Sequence, residues 1–229
     1  MNQIHRKTTA AGLRFNVRND ADAQVISEVV ENESYERKKL GFTLRSGETW
    51  LDCGANIGAF SVWAEKMRSC KVVAYEACEE NLEIGSANTK LNSCKTLWKL
   101  GFVSAKSQGV SSVSFNSETP ARSSRSSRGK QRFVGNLSLS EEIRTHKPQG
   151  IKIDIEGAEF SILEARFPLD GIRAIAIEYH MRIDKDLRKC RSRIQWLRDA
   201  FPLANFRSQI LEKDVWGGWQ DTMLFFWRD

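Results

Sequence analysis

Thr49-Trp50-Leu51-Asp52-Cys53-Gly54-Ala55-Asn56-Ile57-Gly58 is the run on which the reading of the fold turns. Its first five residues form a short apolar and β-prone segment that ends beside an acid, the pattern of a buried strand, and glycines follow at once. Glycine lets a backbone turn sharply and approach a ligand with no side chain in between. Beyond the turn, Phe60, Trp63, Ala64 and Met67 recur at the spacing of one helix face. Strand, glycine turn and helix in that order form the repeating unit of an open α/β sheet, whose ligands bind at the carboxyl ends of the strands. A turn that merely begins a helix would look the same, so the glycines alone assign no ligand.

Working outward, Lys71-Val72-Val73-Ala74-Tyr75 reads as a second strand, Glu79 to Leu91 as a second helix, and Thr96 to Val103 as a weaker strand. A short helix is expected around Ser140 to Thr145, a strand over Gly150 to Ile155, a helix from Ala158 to Arg166 and a strand over Ile172 to Glu178. Leu187, Cys190, Ile194 and Leu197 then mark one stripe of an amphipathic helix. Phe206 to Leu211 and Met223 to Trp227 predict two strands flanking a loop that contains Trp216-Gly217-Gly218-Trp219. Alternating strands and helices predict a parallel sheet covered by helices, and two strands in immediate succession predict a closing hairpin with one antiparallel strand. The first 45 or so residues are less regular, which sets a domain over 46–229 preceded by an N-terminal extension over 1–45.

One segment breaks the alternation. From 104 to 136 the chain is rich in Ser, Arg and Gly, with Ala121-Arg122-Ser123-Ser124-Arg125-Ser126-Ser127-Arg128-Gly129-Lys130 at its centre. So little of it can bury that it predicts a surface excursion with a mobile basic tip. Arg122, Arg125, Arg128, Lys130 and Arg132 would suit phosphates, but no aromatic residues interleave them as they do in many single-strand binders.

A length of 229 residues suits one well-buried domain. No apolar run approaches the roughly 20 residues of a membrane span, and Met1-Asn2-Gln3-Ile4-His5-Arg6-Lys7 lacks the apolar core of a secretion signal. The five cysteines show neither paired nor zinc-type spacing, which fits free buried thiols and a cytoplasmic location. The net charge of +6 favours an anionic partner at long range without naming one.

Glu76 ends the second strand about two dozen residues after Asp52, where an acid can accept hydrogen bonds from both hydroxyls of a ribose. Dinucleotide enzymes use the same device, so the turn has to separate the cofactors. Their G-x-G-x-x-G brings a helix N-terminus against pyrophosphate. Here the pattern is D-x-G-x-N-x-G, with an acid at its head that repels pyrophosphate but suits the ammonium and sulfonium groups of S-adenosylmethionine (AdoMet).

A second constellation, Ile151-Lys152-Ile153-Asp154-Ile155-Glu156-Gly157-Ala158-Glu159, places three acids just past a strand, beside the same cleft. Together with the glycine turn, Val73-Ala74-Tyr75-Glu76 and Asn88…Asn92, it resembles the FkbM family of methyltransferases over roughly Tyr35 to His180, with the Ser/Arg-rich segment as a departure inside it. The resemblance implies a Rossmann-like class I methyltransferase fold: seven strands, mostly parallel with the last antiparallel, and helices on both faces. It also implies methyl transfer to a hydroxyl, typically of a sugar or a natural product. On this reading Asp52, Gly54, Asn56 and Gly58 line the methionine end of AdoMet, Glu76 holds the ribose, and Ala77 with the Gly101-Phe102-Val103 segment lies near the adenine.

An alcohol is barely ionised at neutral pH, so a base or a metal that acidifies it would help. Asp154 is the first candidate base. Alternation sends Glu178 and His180 to the same side of the following strand, which adds both to the catalytic set, and His180 titrates near neutrality. Asp154, Glu156 and Glu159 are the candidate ligands for Mg²⁺. The same acids could instead cap the next helix or complement its dipole. The expected partner is a small-molecule or glycan acceptor. The alternative is the ribose of RNA, reached through residues 121–132.

Overall fold

Residues in the central strands alternate between two apolar layers, and this alternation decides where the helices pack. The computed structural model describes residues 4–105, 109–115, 130–156, 158–165, 167–182, 206–216 and 219–229. The chain opens with β1 (His5–Thr8), β2 (Arg14–Val17) and α1 (Asp20–Ile26). The glycine-turn unit is β3 (Thr49–Cys53), α2 (Ala59–Arg68), β4 (Lys71–Glu76), α3 (Glu79–Leu91) and β5 (Leu97–Leu100). Then come β6 (Phe102–Ser104), β7 (Val110–Phe115), β8 (Lys130–Ser138), α4 (Leu139–His146), β9 (Gly150–Ile153), α5 (Glu159–Ala165) and β10 (Ala174–Arg182). The chain closes with β11 (Arg207–Trp216) and β12 (Trp219–Trp227).

Seven strands form the main sheet in the order β11-β12-β10-β9-β3-β4-β5. Neighbours from β10 to β5 are parallel, and β12 runs antiparallel to both β10 and β11. The expected Rossmann-like sheet is therefore present. Its one antiparallel strand is the last in the chain, inserted one place in from the edge. Trp50, Val72, Ala176 and Phe225 face one side with Phe60 and Trp63 of α2. Leu51, Val73, Ile151 and Ile177 face the other with Ile143 of α4 and Ile162 of α5. Gly150 begins β9 because a Cβ there would come within 2.0 Å of the buried Trp50 ring.

The N-terminal residues are bound to the sheet layers by side chains that imitate a strand. On α3, Asn88 Oδ1 accepts the Asn16 N–H at 2.7 Å while its Nδ2 donates to the Asn16 carbonyl at 3.3 Å. One turn later Asn92 repeats the pattern on Arg14, at 3.0 and 2.7 Å. A spacing of four on a helix thus meets a spacing of two on β2. Asn88 Nδ2 also donates to the Ile57 carbonyl at 2.9 Å, which ties the glycine turn to the same clamp. Asn88→Ala should cost about 3 kcal/mol in urea unfolding, because it strands several buried backbone groups at once. A loss under about 0.5 kcal/mol would show that water replaces the amide.

The weak strand expected over Thr96 to Val103 is two strands. The break falls at Gly101, where a Cβ would lie 2.4 Å from Leu137 Cδ1, and the chain there leaves the main sheet. β6 joins a smaller sheet of order β6-β8-β7, whose β7–β8 pairing is antiparallel. The expected excursion over 104–136 therefore carries a hairpin, with Val110 and Phe133 exposed. Its first strand, Val110-Ser111-Ser112-Val113-Ser114-Phe115, carries too few apolar residues for a period to show in the sequence. Residues 116–129, and with them Arg122, Arg125 and Arg128, lie outside the described residues, as do the expected helix through Leu187 to Leu197 and Gly217-Gly218. Arg132 is exposed and ion-paired with Glu80. Among the described residues no helix is long and apolar enough to cross a membrane, and Cys53, Cys70, Cys78 and Cys94 are free thiols.

Candidate active site

The glycine turn has the geometry that a close-approaching ligand requires. Gly54 has φ +81°, and a Cβ on it would stand 1.7 Å from the Asp154 carbonyl oxygen, so the tips of β3 and β9 meet only with glycine there. Asn56 at φ +50° and Gly58 at φ +80° continue the left-handed bend into α2. Asp52 is fully buried; its Oδ2 accepts the Ser61 hydroxyl at 2.7 Å. Its Oδ1 accepts no hydrogen bond, nor does the buried Oδ1 of Asn56. Lys152 Nζ lies 3.2 Å from Asp52 Oδ1, poorly aligned for a hydrogen bond, and donates instead to the Gly54 carbonyl at 2.7 Å.

Glu76 closes β4 as expected. One carboxylate oxygen accepts the Asn56 N–H at 2.7 Å and the other the Cys78 N–H at 2.8 Å, which fixes the group at the mouth of the turn. Burial raises its pKa, against those two backbone donors. Ala77 and Phe102 pack in one small apolar cluster with Cys78, Ala158 and Ile155. Asp52, Gly54, Asn56 and Gly58 thus lie on the tip of β3 and its turn, Glu76 ends β4 against that turn, and Ala77 and Phe102 pack together beside it. This arrangement offers orphaned acceptors at one end, a fixed carboxylate in the middle and an apolar patch beside it. That donor set fits AdoMet.

The acids past β9 form a second group. Tyr35, only 3% exposed, donates toward both Asp154 Oδ2 at 3.2 Å and Glu178 Oε2 at 3.3 Å. Burial, then the charges of Asp154 and Glu178, push its own pKa well up, so it stays a donor. Lys152 Nζ lies 3.4 Å from Asp154 Oδ2; burial alone would lower its pKa, but Asp52 and Asp154 overcome that and raise it. His180 Nδ1 sits 3.1 Å from Glu159 Oε1, and its Nε2 faces Glu156 Oε2 at 3.8 Å and Asp154 Oδ1 at 4.0 Å. Burial opposes the imidazolium, yet Glu159, Glu156 and Asp154 hold its pKa well above the usual histidine range. Glu156, at φ +56°, is pushed up to about 8 by burial and by the acids around it, against the pull of His180.

Of the three acids expected to hold Mg²⁺, Asp154 and Glu156 face the cleft, whereas Glu159 is fully buried behind His180. Its Oε1 also accepts the Ile155 N–H at 3.1 Å, so it shapes the loop after β9. Asp154, Glu178 and His180 do converge. Sequence reading assigned no individual role to Lys152, quoted only within its motif, or to Tyr35, placed only in a stretch (31–36) expected to cover the cleft. Lys152 had a signal, since it stands two residues before Asp154 and shares its side of β9. Tyr35 had none.

Fold and site define an AdoMet-dependent methyltransferase of the Rossmann-like class. Residues 52–206 match the model of the Methyltransferase FkbM domain, and the chain belongs to that family. No curated protein sequence matches it. The fold is similar to TYW2 of M. jannaschii in complex with AdoMet, with TM-score 0.56 and 12% identity over 100% of this chain and 88% of that one. It is also similar to TYW2 of P. horikoshii in complex with MeSAdo, with TM-score 0.54 and 11% identity over 99% and 72%. A third similar structure is the Pyrococcus abyssi tRNA (uracil-54, C5)-methyltransferase with S-adenosyl-L-homocysteine, at TM-score 0.51 and 12% identity over 97% and 43%.

Proposed function

We propose that this chain transfers the methyl group of AdoMet to a hydroxyl oxygen of a sugar or other small molecule, with Asp154 as the group that receives the hydroxyl proton. The observation that carries the reading is the contact of two loops: a Cβ added to Gly54 would stand 1.7 Å from the Asp154 carbonyl oxygen, so the residue bearing the candidate base adjoins the glycine turn. AdoMet supplies an electrophilic methyl group on a good leaving group. The protein has to align the acceptor oxygen with it, keep water out and take one proton. Asp52, Asp154, Glu178, Glu156 and Glu159 gather around Lys152 and His180, an acidic excess that favours a sulfonium. The AdoMet and S-adenosyl-L-homocysteine named with the similar structures agree with that donor.

The test is to incubate the protein with methyl-labelled AdoMet and fractionated cell extract. Label in small-molecule or glycan pools as an ether supports the reading. Label in RNA, with steep salt dependence lost on deleting 116–129, would replace the acceptor with ribose. Tyr35→Phe should lower turnover about tenfold and leave donor affinity unchanged, because Asp154 and Glu178 lose their shared donor while the glycine turn is untouched. Unchanged steady-state rates would remove Tyr35 from the site.

A further inference from the structure

Donor binding leaves Glu156 and His180 without a role. One ligand atom from each of Asp154, Glu156 and His180 lies within 4.8 Å of the others. The His180 side chain is only 11% exposed, and its Nε2 has no hydrogen-bond partner among the described residues. The Glu156 carboxylate, 3.8 Å from that nitrogen, has no side-chain hydrogen bond among the described residues either. Two carboxylates and a ring nitrogen thus face one another across gaps wider than a hydrogen bond, the separation that a shared cation would close.

We propose that Asp154, Glu156 and His180 bind a divalent first-row transition-metal cation, with Glu159 fixing the imidazole from behind. A carboxylate on the second nitrogen of a ligating histidine sets its tautomer and turns the free lone pair to the metal. Glu159 stands in that place, fully buried and 3.1 Å from Nδ1. Ligand atoms about 2.1 Å from one ion stand roughly 3 to 3.5 Å apart, so the present 3.8 and 4.0 Å separations close by small carboxylate rotations. Mg²⁺ prefers oxygen ligands and retained waters, whereas a mixed oxygen and imidazole set suits Mn²⁺ and its neighbours. Three protein ligands leave coordination positions open to an acceptor oxygen, whose proton the cation would loosen. Only this last role rests on the function proposed above; the cation site stands apart from it.

The experiment titrates Mn²⁺, and separately Mg²⁺, into the full chain, following free Mn²⁺ by electron paramagnetic resonance and heat by calorimetry. AdoMet affinity measured on the same samples reports an intact donor cleft. The expected result is one Mn²⁺ per chain, bound at least tenfold more tightly than Mg²⁺, and weakened at least tenfold in both His180→Ala and Glu156→Gln variants that still bind AdoMet. No Mn²⁺ binding below about 1 mM, parental binding in both variants, or equal affinity for Mg²⁺ would overturn the site. Mn²⁺ binding by a parent that fails to bind AdoMet would keep the site and refute the donor reading.

Discussion

Asp154→Asn is expected to lower kcat by about 10²–10⁴-fold, the usual worth of a positioned general base, while donor affinity stays within about threefold of the parent. The amide has nearly the shape of the carboxylate and can still accept the Tyr35 hydroxyl, so the cleft keeps its geometry. It cannot take a proton. The backbone of Asp154, not its side chain, packs against Gly54, and its N–H donates to the Cys53 carbonyl at 3.0 Å, a bond that does not involve the substituted group. Single-turnover rates with labelled AdoMet, set beside calorimetric donor affinity, separate chemistry from binding. If affinity falls in step with the rate, Asp154 belongs to donor binding and the proton acceptor must be sought at Glu178 or His180.

What could be read from the chain was whatever is local. β3, its turn and α2 follow from twenty consecutive residues, 49–68. Glu76 was placed because strand length and sheet order fix where an acid at the end of β4 must stand. Glu178 and His180 were assigned to one side by strand alternation alone, and both do meet Asp154's surroundings through Tyr35 and directly. Long-range contacts left no such trace. Tyr35 reaches Asp154 from 119 positions away, and nothing in Ser34-Tyr35-Glu36 distinguishes a buried donor from a surface tyrosine. The Asn88 and Asn92 clamp was visible only as a pair of asparagines, because its partners are backbone atoms on β2. Glu159 shows a different limit. At the first turn of α5 it fitted a dipole partner or a metal ligand equally, and only burial against His180 decides that it acts through the ring.

Glu76→Ala is expected to weaken AdoMet by about 100-fold or more. Two losses combine. The carboxylate that would accept both ribose hydroxyls disappears, and charge-assisted bonds of that kind contribute about 1.5–3 kcal/mol each. The Asn56 and Cys78 N–H groups also lose the acceptor that holds the turn open, at 2.7 and 2.8 Å. Glu76→Gln separates these losses, since its single carbonyl oxygen accepts about two hydrogen bonds and cannot serve both backbone donors and both hydroxyls as the carboxylate would. It should fall between parent and alanine, with the thermal midpoint nearer the parent. Burial raises the pKa of Glu76, so the charged carboxylate is held at a cost to the empty protein that donor hydroxyls would offset. Removing it should therefore weaken donor binding beyond the stability lost when the two backbone donors go unpaired. Calorimetry that finds parental AdoMet affinity in the alanine variant would take the ribose away from β4, and with it the orientation of the donor in the cleft.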